Sequence, residues 1–241
     1  MPRPGNTRGE VRRQTLMIDA DDTLWENNIF FERAIDRFVA LVEHPELSPA
    51  EVRDRFNDFE ATRVKTHGYG VDAFHASLHS GFEHLKGAAC SEAQLHSVAA
   101  CADVVRRAEV VLLQDVASTL EVLSRHHTLL LVTKGDHSEQ TGKLLRSGLQ
   151  PHFTHVEVLR EKHTDAYLEL LARHSLLAAD TWMIGNSPRS DINPALAAGM
   201  HAVYVPHPST WVLEQEAVAA PTGNQQLLQL SAFSELLHHF A

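Results

Sequence analysis

Short apolar runs recur along this chain, and what lies between them changes character halfway. The first run spans residues 15–18 and stops at the carboxylates of Asp19, Asp21 and Asp22. Residues 128–133, 153–159, 181–184 and 201–205 give four more. Each is short enough for one buried strand and bounded by polar or glycine positions. Between the first run and the second, the spacing is helical. Ile29, Phe30, Ala34, Phe38, Val39, Leu41 and Val42 recur on one face until His44-Pro45 breaks the pattern. Ser48, Pro49 and Glu51 open a second helix with a capping box, and Gly68-Tyr69-Gly70 reads as a loop. Phe74, Leu78 and Phe82 mark a third helix, ended by Gly87. A fourth starts at Ser91-Glu92 and runs through Leu95, Val98 and Val105. Beyond residue 110, helical stretches near 116–123, 138–149, 164–174 and 188–198 alternate with the apolar runs. The tail, 225–240, has the makings of one more helix.

Alternating strands and helices predict βαβ units and a mostly parallel sheet. The expected architecture is α/β, doubly wound, with an inserted α-helical unit between the first strand and its sheet-mates. The boundaries read as a polar, disordered tail over 1–13, an α/β core over 14–25 and 110–241, and a helical cap over 26–109. The tail carries four arginines and no apolar segment of the kind a signal peptide needs.

Composition narrows the function classes. The chain has 241 residues, 44% hydrophobic and 22% charged, as soluble globular proteins do. A formal net charge of −10 argues against a nucleic-acid polymer or an anionic membrane surface as partner. It leaves room for a small phosphorylated ligand, which a few local cations and N–H groups can hold. Cys90 and Cys101 form no disulfide or zinc pattern, so a reducing, cytoplasmic setting is the expectation. No apolar run approaches the ~18–20 residues of a membrane span. The 17 histidines are read mostly as surface residues.

The chemistry is expected where the strands end, because open α/β sheets bind ligands beyond their carboxyl edge. Asp19 and Asp21 are two residues apart, so they can face one small volume there. Two such carboxylates ask for a hard cation with oxygen ligands or for an acid/base division of labour. The plain alternative is an acidic turn in which Asp22 or Thr23 caps a helix. The other strands end in Thr133-Lys134-Gly135 and in Asn186, with Asp191 following, and Lys162 precedes a helix after the third run. Together these supply a nucleophile, a second acid, a hydroxyl beside a glycine turn, a fixed cation and a second acidic end. Phosphoryl transfer needs such an inventory.

These four segments, in this order, resemble the motifs of the haloacid dehalogenase-like (HAD) hydrolase superfamily. Asp19-Ala20-Asp21-Asp22-Thr23 matches D-x-D-x-T, and Leu130-Leu131-Val132-Thr133 matches the strand ending in Thr or Ser. Lys162 with Tyr167 matches the third motif, and Gly185-Asn186-Ser187-Pro188-Arg189-Ser190-Asp191 the fourth. The resemblance implies a Rossmann-like core with a type-1 cap. It implies Asp19 as nucleophile and Asp21 as general acid and base. It implies Thr133, Lys134, Gly135 and Lys162 around the phosphoryl group, and Mg²⁺ near Asp19, the Asp21 carbonyl, Asn186 and Asp191. Dehalogenases of the superfamily lack the second Asp, since a halide leaves without a proton, so Asp21 favours a phosphatase. Many relatives carry Asp where this chain has Asn186, which shifts the charge burden to Asp19 and Asp191. The expected activity is hydrolysis of a small phosphomonoester. A phosphoglucomutase-like phosphotransferase and a non-catalytic binding protein of the same fold are the alternatives.

Overall fold

The computed structural model describes residues 13–241, so residues 1–12 of the expected tail lie outside the described residues. Six strands form one sheet: β1 (Thr15–Ile18), β2 (Thr128–Lys134), β3 (His155–Leu159), β4 (Thr181–Gly185), β5 (His201–Tyr204) and β6 (Leu227–Gln229). Their order is β3-β2-β1-β4-β5-β6, and every neighbouring pair is parallel. The sheet is therefore all-parallel where the sequence predicts a mostly parallel one. β1 is fully buried and sits in the middle. Strand order reverses beside it, between β1 and β4, and this switch point opens the crevice where such sheets take ligands.

Two apolar layers flank the sheet because alternate strand residues face opposite ways. Leu16, Ile18, Leu129, Leu131, Trp182 and Ile184 pack with helix α5 (Val116–His126) and the C-terminal segment on one side. Met17, Leu130, Val132 and Met183 pack with helix α7 (Thr164–Arg173) on the other. Helix α6 (His137–Ser147) follows β2 and is capped by the Asp136 carboxylate, which accepts from Glu139 N.

Between β1 and β2 stand four helices: α1 (Asn28–Val42), α2 (Pro49–His67), α3 (Val71–Lys86) and α4 (Glu92–Arg106). They bury a core of their own around Phe38, Phe56, Leu78, Phe82 and Val98. Ser48 and Ser91 close complete capping boxes with Glu51 and Gln94. The chain enters and leaves this block side by side. Glu26 N donates to Val111 O at 2.9 Å, and Leu113 N donates to Leu24 O at 3.0 Å.

Three expectations need correcting. The 225–240 stretch is not one helix: it holds β6, a 3₁₀ turn over Phe233–Leu236 and α9 (Leu237–Phe240). Leu230, Phe233, Leu236 and Phe240 anchor in the sheet-side core, so packing overrides the helical pattern. The third strand begins at His155, not 153, because Gln150–His152 makes a 3₁₀ turn first. The expected 188–198 helix is a π-turn over Pro188–Ile192 followed by a short α8 (Asn193–Ala197).

Candidate active site

β1 delivers Asp19 one residue past its end. The Asp19 N–H still bonds Ile184 O of β4 at 2.9 Å, so its backbone is fixed by the sheet. The chain then makes a single turn, with Leu24 N donating to Ala20 O at 2.8 Å. That turn brings the Thr23 hydroxyl back to donate to Asp19 Oδ2 at 2.9 Å. Lys162 Nζ donates to Asp19 Oδ1 and, at 2.8 Å, to Asp191 Oδ1. Lys162 is 5% exposed, Asp19 6% and Asp191 1%, so two carboxylates share one ammonium away from bulk water.

Burial works against the Lys162 charge, but Asp19 and Asp191 outweigh it and hold its pKa above the usual lysine range. Burial pushes Asp191 upward, Lys162 opposes the shift and Asp19 adds to it. The three groups carry one uncompensated negative charge when both acids are ionised. Buried charge without compensation is costly, so the triad favours a second cation or a proton.

The fourth-motif loop owes its shape to close packing. Asp191 Oδ2 accepts from Ser187 N at 3.0 Å, folding the π-turn back over the end of β4. A Cβ on Gly185 would meet Asp191 Oδ2 at 2.2 Å, so only glycine fits beneath that carboxylate. Tyr167, fully buried, donates to Ser190 O at 2.9 Å and holds the turn from α7. Asn186 Oδ1 accepts from Thr23 at 3.3 Å, while its amide donates to Thr210 Oγ1 at 3.0 Å. The donor set that converges here is all oxygen: Asp19, Asn186 and Asp191. Hard divalent cations take such ligands, and Mg²⁺ needs one or two carboxylates among them. The residues present fit that ion, with Asn186 contributing an oxygen but no charge.

Asp21 lines the same cavity but is held by a different group of donors. Trp25 Nε1 reaches its Oδ1 at 2.7 Å, Gln140 Nε2 its Oδ2 at 2.7 Å, and Lys143 Nζ its Oδ1 at 3.0 Å. Lys143 also contacts Glu139 at 3.4 Å and Asn27 Oδ1 at 2.9 Å. Burial disfavours the Lys143 ammonium, but Asp21 and Glu139 outweigh it and raise its pKa. Asp22 is held by backbone donors instead. Its carboxylate accepts from Asn27 N at 2.8 Å and Asn28 N at 3.1 Å, so it steadies the start of α1. Asp22 is not the N-cap of α1, a position that Asn27 fills without a side-chain cap, and it lines the cavity with Asp19 and Asp21. Burial pushes Asp22 up to about 7.

Thr133, 1% exposed, lines the cavity, and its hydroxyl makes no hydrogen bond among the described residues. Gly135 follows with φ of +130°, a conformation that favours glycine. Lys134 also lines the cavity. Its ammonium is engaged by Glu214 at 2.5 Å, Ser190 at 3.0 Å and Tyr69 at 3.3 Å, and lies 4.4 Å from the Tyr69 ring centroid. These contacts tie the 68–70 loop to the core.

The cavity, about 150 Å³, lies between the strand ends and the four-helix block. The block contributes Phe31, Ile35, Glu60, Val64, Ala73 and Phe74 to its wall. Sequence reading misses Lys143, Gln140, Glu60 and Glu214. Two signals could have found three of them. Glu139, Gln140 and Lys143 fall on one helical face, and Glu60 interrupts the buried Val52-Phe56 series at a four-residue step.

The sequence model for haloacid dehalogenase-like hydrolases matches residues 14–199. The chain belongs to that family and is a hydrolase by that membership. A haloacid dehalogenase-like hydrolase from Xanthomonas campestris is 25% identical, with a TM-score of 0.81 over 95% of this chain and 94% of that one. The HAD-hydrolase candidate YfnB from Bacillus subtilis, bound to magnesium, is 17% identical, with a TM-score of 0.63 over 95% and 99%. A predicted phosphoglycolate phosphatase from Haemophilus somnus is 16% identical, with a TM-score of 0.63 over 97% and 100%. Haloacid dehalogenases share the fold as well. No curated protein matches the chain.

Proposed function

We propose that this hydrolase cleaves a small phosphomonoester through an aspartyl-phosphate on Asp19. The carrying observation is that Asp21 lines the same cavity as Asp19 and is held there by Trp25, Gln140 and Lys143. A halide leaves without a proton, whereas an alkoxide needs one, so a positioned second acid favours phosphate ester cleavage. Both phosphatase and dehalogenase names occur among proteins of this fold, so Asp21 and not the fold selects the branch.

In the first half-reaction, an Asp19 oxygen attacks phosphorus, the ester P–O bond breaks, and the leaving oxygen takes a proton from Asp21. Lys162 neutralises charge between Asp19 and the phosphoryl oxygens, and the unpaired Thr133 hydroxyl donates to one of them. In the second, water attacks the same phosphorus, Asp21 accepts its proton, and the bond to Asp19 breaks to release inorganic phosphate. Asp19, Asn186, Asp191 and the Asp21 backbone carbonyl would hold a magnesium ion, which supplies charge neutralisation at the phosphoryl oxygens. The magnesium in the Bacillus subtilis relative supports that choice of metal. The helices α1–α4 form the cap, joined to the core where the segments near Glu26 and Val111 pair. A cavity of about 150 Å³ beneath the helical block favours a small metabolite over a polymer.

The test is hydrolysis of p-nitrophenyl phosphate with and without Mg²⁺, beside chloride release from 2-chloropropionate. Phosphate release that vanishes in Asp19→Asn, with the variant folded by circular dichroism, is the expected result. Chloride release without phosphate release overturns the reading.

A further inference from the structure

Glu60 is a buried carboxyl without a hydrogen bond or an ion pair among the described residues. It lies on α2, four residues after Phe56 and four before Val64, and is 7% exposed. Arg53, two turns earlier on the same helix, is the cation that acts on it through space, but its hydrogen bonds go elsewhere. Arg53 Nε donates to Asn57 Oδ1 at 3.1 Å, and its Nη2 pairs with Glu32 of α1 at 2.5 Å. The wall that the helical block gives the cavity is mostly apolar, with Phe31, Ile35, Val64, Ala73 and Phe74 beside Glu60 and Ser77 in the lining. The three lysines of the cavity are engaged by other acids, Lys134 by Glu214, Lys143 by Asp21 and Glu139, and Lys162 by Asp19 and Asp191. Gln140 Oε1, in the same cavity lining, is a second buried acceptor with no partner. Its amide is committed to Asp21, so the oxygen cannot exchange places with it.

Buried acceptors are normally satisfied, and a buried carboxylate without a partner is costly. A cavity wall with one unpaired acid, apolar neighbours and no free cation therefore asks for a donor from the ligand. We propose that Glu60 is a specificity residue that binds an ammonium group on the leaving alcohol, so that the substrate is a phosphomonoester of an amino alcohol. This rests on the phosphatase reading, with the phosphoryl group at Asp19 and Lys162 and the amine at the helical block. The apolar wall then covers the carbon chain between the two charged ends.

Binding can be read without turnover. Calorimetry would compare ω-aminoalkylphosphonates of about two to six carbons with alkylphosphonates in which a methyl replaces the ammonium, all in the presence of Mg²⁺. The expected result is one chain length at which the amine binds about tenfold tighter or better. Glu60→Gln should remove that preference. Glu60→Asp, which keeps the charge on a shorter stem, should move the optimum to a longer chain. A merely structural Glu60 would give neither change, and melting temperatures confirm that both variants fold. Equal binding of the two series by a protein that hydrolyses p-nitrophenyl phosphate overturns the amine site alone. A preference that survives in Glu60→Gln also overturns it. Failure of every phosphonate to bind, with no phosphatase activity, overturns both readings.

Discussion

Lys143 lies 3.0 Å from Asp21 Oδ1 and stabilises the negative charge that develops there as the acid gives its proton to the leaving oxygen. Lys143→Met should therefore slow formation of the aspartyl-phosphate more than its breakdown. Rapid-quench kinetics should show a smaller burst of alcohol over phosphate than the wild type gives. Asp21→Asn should cost about 10²–10⁴-fold on an alkyl phosphate and less on an aryl phosphate, because only the poor leaving group needs the proton. Equal losses on both substrates would count against the acid role. At this scale the strand-end residues were legible: Asp19, Asp21, Thr133, Lys162 and Asp191 all line one cavity. Lys134 lines it too, but its ion pair with Glu214 was not legible, because that partner lies 80 residues away in sequence. Glu60 went unread because one acid on a helix face is usually solvated.

Among the elements, β4 and its π-turn are the most tightly specified. Asp191 Oδ2 would lie 2.2 Å from a Cβ on Gly185, so Gly185→Ala must push the carboxylate away from Ser187 N and Lys162. The expected cost is about 1–3 kcal/mol, the range for overpacking a core. A lower melting temperature and a higher half-saturating Mg²⁺ concentration would report it; an unchanged Mg²⁺ midpoint would separate Asp191 from the metal. The first five strands could be read from their apolar runs. β6 could not. Leu227-Leu228-Gln229 is three residues long and becomes a strand only because Ala202, Val203 and Tyr204 offer it an edge. The π-turn was equally hidden, since its extra residue comes from the Asp191 and Tyr167 contacts and not from periodicity.

On the scale of the whole molecule, buried acids should give stability a slope with pH. Burial pushes Glu60 from 4.5 up to about 7, with Arg53 opposing and Glu32 adding. The folded state then keeps a proton that the unfolded chain releases. Stability from this group is present below about 4.5 and lost as pH rises toward about 7. Glu60→Gln should flatten the fall of melting temperature across that window, while Asp22 and Asp191 leave their shares in both proteins. Parallel curves for the two would refute the assignment. The paired segments at the base of the helical block carry a consequence for assembly of the chain. β1 and β2 are neighbours in the sheet, yet the whole block separates Ile18 from Thr128. Closing a long loop costs entropy, and each halving of its length saves about 0.6 kcal/mol. The bonds from Glu26 to Val111 and from Leu113 to Leu24 bring the block's two ends together. A block that forms first therefore presents the central strands to each other across two short arms, and the slowest contact in the sheet becomes a nearly local one.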